Sequence, residues 1–239
     1  MSLNAAELSV KIFADGADKE QIRNASANPL IKGFTTNPTL MRKSGVTNYE
    51  AFAKEVIEII PDYSLSLEVF ADDLPEMERQ AREIAGWGSN VYVKVPISNT
   101  KGEATAPILE ALSRDGIKLN VTALMTEAQV RSTVAALSPD VPSYISVFAG
   151  RVADTGIDPI PVMKRSLSIM EAAPKSELIW ASPREVLNVV QASEIGCHVI
   201  TVTYDILNKL GGLGKDLDAF SLDTVKMFHQ DATASGFAI

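Results

Sequence analysis

The chain is poor in thiol and imidazole. It has one cysteine, Cys197, and two histidines, His198 and His229, in 239 residues. A single cysteine excludes an intrachain disulfide, and so small a set argues against a Cys/His zinc site. Cys197 and His198 are adjacent in an apparent strand, so their side chains face opposite ways. We read Cys197 as a small buried residue and His198 as structural. No metal and no cofactor is expected. Aromatic residues make up only 6% of the chain, so aliphatic side chains and alanine must fill the core. Basic residues are outnumbered, 22 against 30, for a net charge of -8. That excludes sequence-independent nucleic-acid binding, which needs a basic surface. It leaves room for a local basic pocket. No apolar run approaches the roughly 20 residues that span a bilayer, and no signal-peptide pattern opens the chain. The expected setting is the cytoplasm, away from membranes. The initial Met1-Ser2-Leu3 has the look of an expression scar.

Linkers, low-complexity tracts and long charge runs are missing too. Hydrophobic residues make up 46% of the chain, enough for a large core, and we read residues 1–239 as one domain. Strand-like and helix-like segments alternate from end to end. The strand candidates are 10–15, 31–36, 65–70, 91–95, 117–121, 143–148, 177–181 and 198–202. Helical patterns lie between them. In 49–60, Phe52, Val56, Ile59 and Ile60 share one stripe at the helical period. Others cover 75–86 and 103–113, and two more open at Asp158-Pro159 and at Pro183. Eight strand-plus-helix units in about 250 residues match a closed (β/α)₈ TIM barrel of the α/β class. A doubly wound open sheet is the alternative, but it usually has fewer strands, and no GxGxxG follows the first one. The tail reads as a loop and a C-terminal helix over 221–230. Gly211-Gly212-Leu213-Gly214-Lys215-Asp216 lacks the spacing and the hydroxyl of a phosphate-binding loop. We read it as a loop after a short helix.

Against this background Lys94 is out of place. It sits in Val91-Tyr92-Val93-Lys94-Val95-Pro96, an apolar run of the kind covered on both faces. Lysine is almost never fully buried without a partner. Burial disfavours the charged form of an amine, and a free amine is what Schiff-base chemistry on a carbonyl requires. The competing reading is a strand-end lysine that reaches water.

Barrel enzymes carry catalytic groups at the carboxyl ends of their strands. Here those ends supply Asp15, then Thr35-Thr36-Asn37-Pro38, Glu68, Lys94, Asn120 with Thr122, and Ser146 running into Arg151. Ser182 and Arg184 follow the seventh strand. The chemistry can be distributed among them. Lys94 attacks a carbonyl and forms an iminium, an electron sink for C–C cleavage. Glu68 manages the water lost, and Asp15 takes the proton of the adjacent hydroxyl. Asn37, Asn120 and Ser146 hold hydroxyls of a polyol. Arg151, Ser182 and Arg184 suit a phosphate. Each residue also has a structural reading. Asp15-Gly16 can be a turn, and Asn37-Pro38 a helix opening. Glu68 can pair with Lys94 as a structural ion pair, and Arg151 with Asp154 or Asp158.

Together the motifs resemble the transaldolase family, and in length its short branch, which includes the fructose-6-phosphate aldolases. The resemblance runs from about residue 10 to about residue 235. It is carried by Gly33-Phe34-Thr35-Thr36-Asn37-Pro38, Val93-Lys94-Val95-Pro96, Asn120-Val121-Thr122, Ser146-Val147-Phe148-Ala149-Gly150-Arg151 and Ala181-Ser182-Pro183-Arg184. It implies a (β/α)₈ barrel and a metal-free Schiff-base mechanism. A ketose phosphate, sedoheptulose 7-phosphate or fructose 6-phosphate, gives a dihydroxyacetone unit to an aldose phosphate. By position Lys94 matches the Schiff-base lysine and Asp15 the proton-transfer acid. Glu68, helped by Thr122, matches the group that activates water. Thr36, Asn37, Asn120, Ser146 and Phe148 match the substrate site, and Arg151, Ser182 and Arg184 the phosphate site. The aldolases carry glutamine at position 68 and tyrosine at position 148, so Glu68 and Phe148 favour transfer. A lyase releasing dihydroxyacetone and a non-catalytic sugar-phosphate binder are the alternatives. The chain departs from the pattern at Thr39, at Pro183 and in a longer segment over 97–102. The resemblance also implies carbohydrate metabolism of the pentose phosphate kind. It implies a homo-oligomer, a pentameric ring or decamer, with the C-terminal helix as a contact.

Overall fold

A computed structural model describes residues 4–236. Met1-Ser2-Leu3 therefore lies outside the described residues. The strands are β1 (Lys11–Asp15), β2 (Ile31–Thr35), β3 (Ser64–Glu68), β4 (Val91–Pro96), β5 (Leu119–Leu124), β6 (Ser143–Val147), β7 (Ser176–Trp180) and β8 (Val199–Thr203). The helices are α1 (Lys19–Ser26), α2 (Pro38–Lys43), α3 (Tyr49–Ile59), α4 (Leu74–Ala85), α5 (Ala106–Arg114), α6 (Glu127–Ala136), α7 (Ala149–Asp154), α8 (Pro159–Met170), α9 (Leu187–Glu194), α10 (Tyr204–Lys209) and α11 (Leu217–Ser235). The strands pair in parallel in chain order, and β8 closes on β1. This is the (β/α)₈ barrel the alternation predicts, in one domain.

Local chemistry sets the helix starts. Asp18, Asn37, Asn48, Asp73, Asp158 and Asp216 each accept a hydrogen bond from a backbone N–H of the first turn of their helix. Such caps satisfy donors that have no intrahelical partner. Thr126 and Gln129 form a reciprocal capping box on α6. On α3 the predicted stripe is seen, with Phe52, Val56 and Ile60 buried and Ile59 half-buried.

Several boundaries differ from the sequence reading, and local side-chain contacts account for two of them. The helix expected from 103 begins at Ala106, because Asn99 clasps Glu103 through its side chain and holds the preceding residues in a tight loop. The helix expected from Pro183 begins at Leu187, because Asn188 Oδ1 takes the N–H groups of Arg184 and Glu185. The terminal helix runs over 217–235 rather than 221–230.

Inside the barrel, side chains alternate in and out at the strand period. The lower interior holds Phe13, Tyr144, Ile179 and Val199, with Tyr92 against them. Gly33 makes this possible. A Cβ there would lie 2.6 Å from the Phe13 ring and 2.6 Å from Ser64 Oγ. Glycine leaves the space that Phe13 fills. The upper interior is polar and forms the site.

Candidate active site

Every strand but β3, or the segment just after it, places a polar residue at one mouth. Asp15, Thr35, Asn37, Lys94, Asn120, Thr122, Ser146, Phe148, Arg151, Ser182, Thr201 and Thr203 line one cavity of about 280 Å³. Larger concavities lie on the outer wall, one of about 520 Å³ between α1 and α3. They lack a comparable set of convergent reactive groups, and chemistry rather than size marks the mouth as the site.

Lys94 is 7% exposed. Its Nζ lies 3.0 Å from Glu68 Oε2 and donates to the Thr36 carbonyl at 2.8 Å. Register explains the first contact, since Glu68 and Lys94 are direct neighbours across β3 and β4. Glu68 is half-buried and is absent from the cavity lining. Its backbone carbonyl accepts from the Tyr49 hydroxyl at 3.0 Å. Burial pushes that phenol well above the usual tyrosine range, so it stays a donor.

Asp15 ends β1, and both of its oxygens have donors. Thr35 donates to Oδ1 at 2.8 Å, and Asn37 Nδ2 faces Oδ2 at 3.3 Å. Asn37 does two jobs. Its Oδ1 caps α2 by accepting from the Leu40 N–H at 2.9 Å, which aims the amide at Asp15. Desolvation raises the Asp15 carboxyl above its ordinary value of 3.8, against the opposing pull of Lys94 and the Thr35 hydrogen bond. A carboxyl raised in this way suits proton exchange near neutral pH.

A second network orders the opposite wall. Ser146 donates to Asn120 Oδ1 at 2.7 Å, and Asn120 Nδ2 donates to Ser66 Oγ at 2.9 Å. Asn120 neighbours Lys94 in register. Thr122 is buried and faces the cavity. Thr36 contributes through its backbone. Its hydroxyl donates to the Ser66 carbonyl at 2.9 Å, and its side chain is absent from the cavity lining.

The two arginines differ. Arg151 lines the cavity, with its guanidinium carbon 5.7 Å from the Phe148 ring centroid, a cation–π contact that orients it. Arg184 lies outside the cavity and forms a two-pronged ion pair with Asp154, both partners being exposed. The loop after β7 is shaped by close packing. Ser182 takes a positive φ of 60°, and a Cβ on Gly150 would fall 1.5 Å from the Ser182 carbonyl oxygen. Only glycine at position 150 lets the loop after β7 lie on the start of α7.

Sequence reasoning gave Thr35 no role and missed Ser66, Thr201, Thr203 and Tyr49. The first four lie on the inward faces of their strands, which no local signal in a serine or threonine reveals. Cys197 and His198 are structural, as read. Burial pushes the Cys197 thiol up to about 12, and His198 Nδ1 accepts the Leu178 N–H at 3.0 Å. Among the described residues, no three His, Cys, Asp or Glu side chains have metal-binding geometry, and no helix is long and apolar enough to cross a membrane.

Comparison with known proteins agrees with the geometry. A "Probable transaldolase" of Dehalococcoides mccartyi is 33% identical over 202 residues, 84% of this chain and 90% of that protein. Those of a Thermoanaerobacter species and of Methanococcus maripaludis are each 34% identical over 202 residues, 84% of this chain and 89% of theirs. Among solved structures, KGPDC from Streptococcus mutans superposes with a TM-score of 0.57 at 12% identity, over 87% of this chain and 95% of that one. This likeness speaks to the barrel alone. Residues 12–239 match the family described as Transaldolase/Fructose-6-phosphate aldolase, and the chain belongs to that family.

Proposed function

We propose that the protein transfers a dihydroxyacetone unit from a ketose phosphate to an aldose phosphate through a Schiff base on Lys94. The observation that carries this reading is the buried amine 3.0 Å from one carboxylate, facing the same cavity as a second carboxyl raised by desolvation. Lys94 passes a proton to Glu68 and attacks the ketose carbonyl. The carbinolamine loses its hydroxyl as water, with Glu68 and Thr122 handling the proton. Asp15 then takes the proton of the neighbouring hydroxyl, the C–C bond breaks, and its electrons move onto the iminium nitrogen. The aldose leaves. An acceptor aldehyde enters, and the steps run backwards. Asn37, Asn120 and Ser146 hold the hydroxyls of the bound unit. Arg151 and Ser182 hold the phosphate, and Arg184 joins them by releasing Asp154. Exposed ion pairs of this kind are worth about 0–1 kcal/mol, so the exchange costs little.

Borohydride trapping with fructose 6-phosphate or sedoheptulose 7-phosphate tests the reading. A covalent adduct on Lys94 is expected, and its absence would sink the mechanism. Adding erythrose 4-phosphate and looking for sedoheptulose 7-phosphate separates transfer from release of dihydroxyacetone. Glu68, a carboxylate that can accept the lysine proton where an amide cannot, favours transfer.

The protein is further inferred to act in the cytoplasm as a homo-oligomer held through α11. None of the residues of that helix is buried. Phe220, Val225 and Phe228 are 54%, 60% and 63% exposed. Large apolar side chains exposed in this number on one helix suit an interface, and the occupant proposed is a second copy of the chain. Sedimentation of the full chain should show an oligomer that Phe220→Asp with Phe228→Asp dissociates. A monomeric parent chain would overturn this.

A further inference from the structure

The eighth strand brings two hydroxyls to the mouth, Thr201 and Thr203, and the reaction outlined above uses neither. Thr201 is buried. Its Oγ1 lies 2.5 Å from Thr35 Oγ1, which in turn lies 2.8 Å from Asp15 Oδ1. The chain Thr201–Thr35–Asp15 spans three adjacent strands. β1 is paired with β2 on one side, where Asp15 faces Thr35, and with β8 on the other, where Phe13 faces Thr201.

Proton counting gives this chain a direction. A hydroxyl has one proton to donate, and an ionised carboxylate has none. While Asp15 is ionised, the Thr35 proton lies on the bond to Oδ1. The contact between the two hydroxyls then has one arrangement left, with Thr201 donating to Thr35. Donation into a hydroxyl polarises it and strengthens the bond it makes onward. The result is asymmetric. Oδ1 is held from below, and Oδ2 faces only the longer 3.3 Å contact from Asn37.

We propose that Thr201 is a positioning residue for proton transfer. By donating to Thr35 it fixes Asp15 Oδ1 as an acceptor and leaves Oδ2 to take the substrate's hydroxyl proton. The inference rests on the assignment of Asp15 as the proton-transfer acid. The ionisable groups facing Asp15 are Lys94 from β4, Glu68 from β3 and Tyr204 from α10. None of them hydrogen-bonds to Thr201, so a substitution there leaves their fields in place.

The test is the pH profile of kcat/KM for the full chain, with the donor that traps on Lys94. Thr201→Val should move the acid limb upward by a few tenths of a pH unit, because an ionised Asp15 loses support through Thr35. It should lower kcat several-fold with KM little changed, and borohydride trapping should persist. Thr201→Ser should restore both quantities, since it keeps the hydroxyl. A Thr201→Val profile that superimposes on the parent overturns the proposal. So does a Thr201→Ser shift as large as that of valine, which would show that shape and not the hydroxyl matters. If the valine variant does not fold, Thr201→Ala is read the same way. An Asp15→Asn variant with parental activity sinks the underlying assignment. An inactive Asp15→Asn beside an unmoved Thr201→Val sinks only the role of Thr201.

Discussion

The lower and upper halves of the barrel interior are made by the same strands from opposite materials. On β1 the inward residue is Phe13 below and Asp15 above. On β4 it is Tyr92 and then Lys94, on β6 Tyr144 and then Ser146, and on β8 Val199 and then Thr201. In each case a step of two residues replaces an apolar or aromatic group with a reactive or hydrogen-bonding one. Below, the rings pack on one another, Phe13 edge-on to Tyr144 at 5.4 Å and Tyr92 against Tyr144 at 4.3 Å. Above, the groups are tied by hydrogen bonds and charge. The lower layer contributes stability through buried apolar area. The upper layer gives some of it up, since desolvated carboxyls and amines cost free energy. Their proximity is what fixes the geometry of the site. An aromatic floor lies directly beneath the strand ends that carry the polar groups.

The comparison can be broken in several places. The largest effect is expected from Lys94→Ala. Loss of the nucleophile should lower activity by roughly four orders of magnitude or more, abolish borohydride trapping by mass spectrometry, and leave the far-UV circular dichroism spectrum unchanged. Loss of that spectrum would make Lys94 a residue of the floor's kind. Asp15→Asn comes next, with activity down roughly 10²- to 10⁴-fold. Its stability should move the other way. The folded-state pKa of Asp15 is raised, so the stabilisation its carboxyl provides is present in acid and lost as pH rises through the folded value. Above the folded value the carboxylate is a cost, and the amide should raise Tm there. The gain should vanish below the ordinary aspartate value of 3.8. Thermal melts across pH decide it.

Phe13→Ala tests the floor. Removing a buried ring should cost about 3–5 kcal/mol in denaturant unfolding, while the protein that remains folded still traps substrate on Lys94. The smallest effect belongs to the rim. Asp154→Asn frees Arg184 from its ion pair and should lower KM for a phosphorylated donor a few-fold, consistent with the roughly 0–1 kcal/mol of an exposed pair. It should leave KM for an unphosphorylated donor unchanged.

The floor and the mouth were not equally legible in the sequence. Short apolar runs marked all eight strands, because a strand covered on both faces must read as nearly continuous Val, Ile and Leu. Lys94 stood out for the same reason. Polar residues at strand ends were readable once a barrel was assumed. Thr201 and Thr203 were not, since threonine is ordinary in strands and nothing local says which face it takes. The pairing of Arg184 with Asp154 joins residues thirty positions apart and depends on how the loop after β7 lies on α7. Gly33 sits in a recognisable motif, yet its steric purpose appears only beside Phe13. The exposed apolar face of α11 was invisible from pattern alone, because a helix can present the same residues to its own barrel or to a neighbour.

The plugged floor has a kinetic corollary. With Phe13, Tyr92 and Tyr144 filling the lower interior, the lysine has a single doorway. In the mechanism proposed above, whatever is split from a Lys94-bound sugar must go out by the route through which its replacement comes in. The leaving and the entering aldose share this one cavity of about 280 Å³. The two half-reactions are thereby put in series, and initial-rate plots against donor at several acceptor concentrations should be parallel, the pattern of a ping-pong mechanism imposed by architecture.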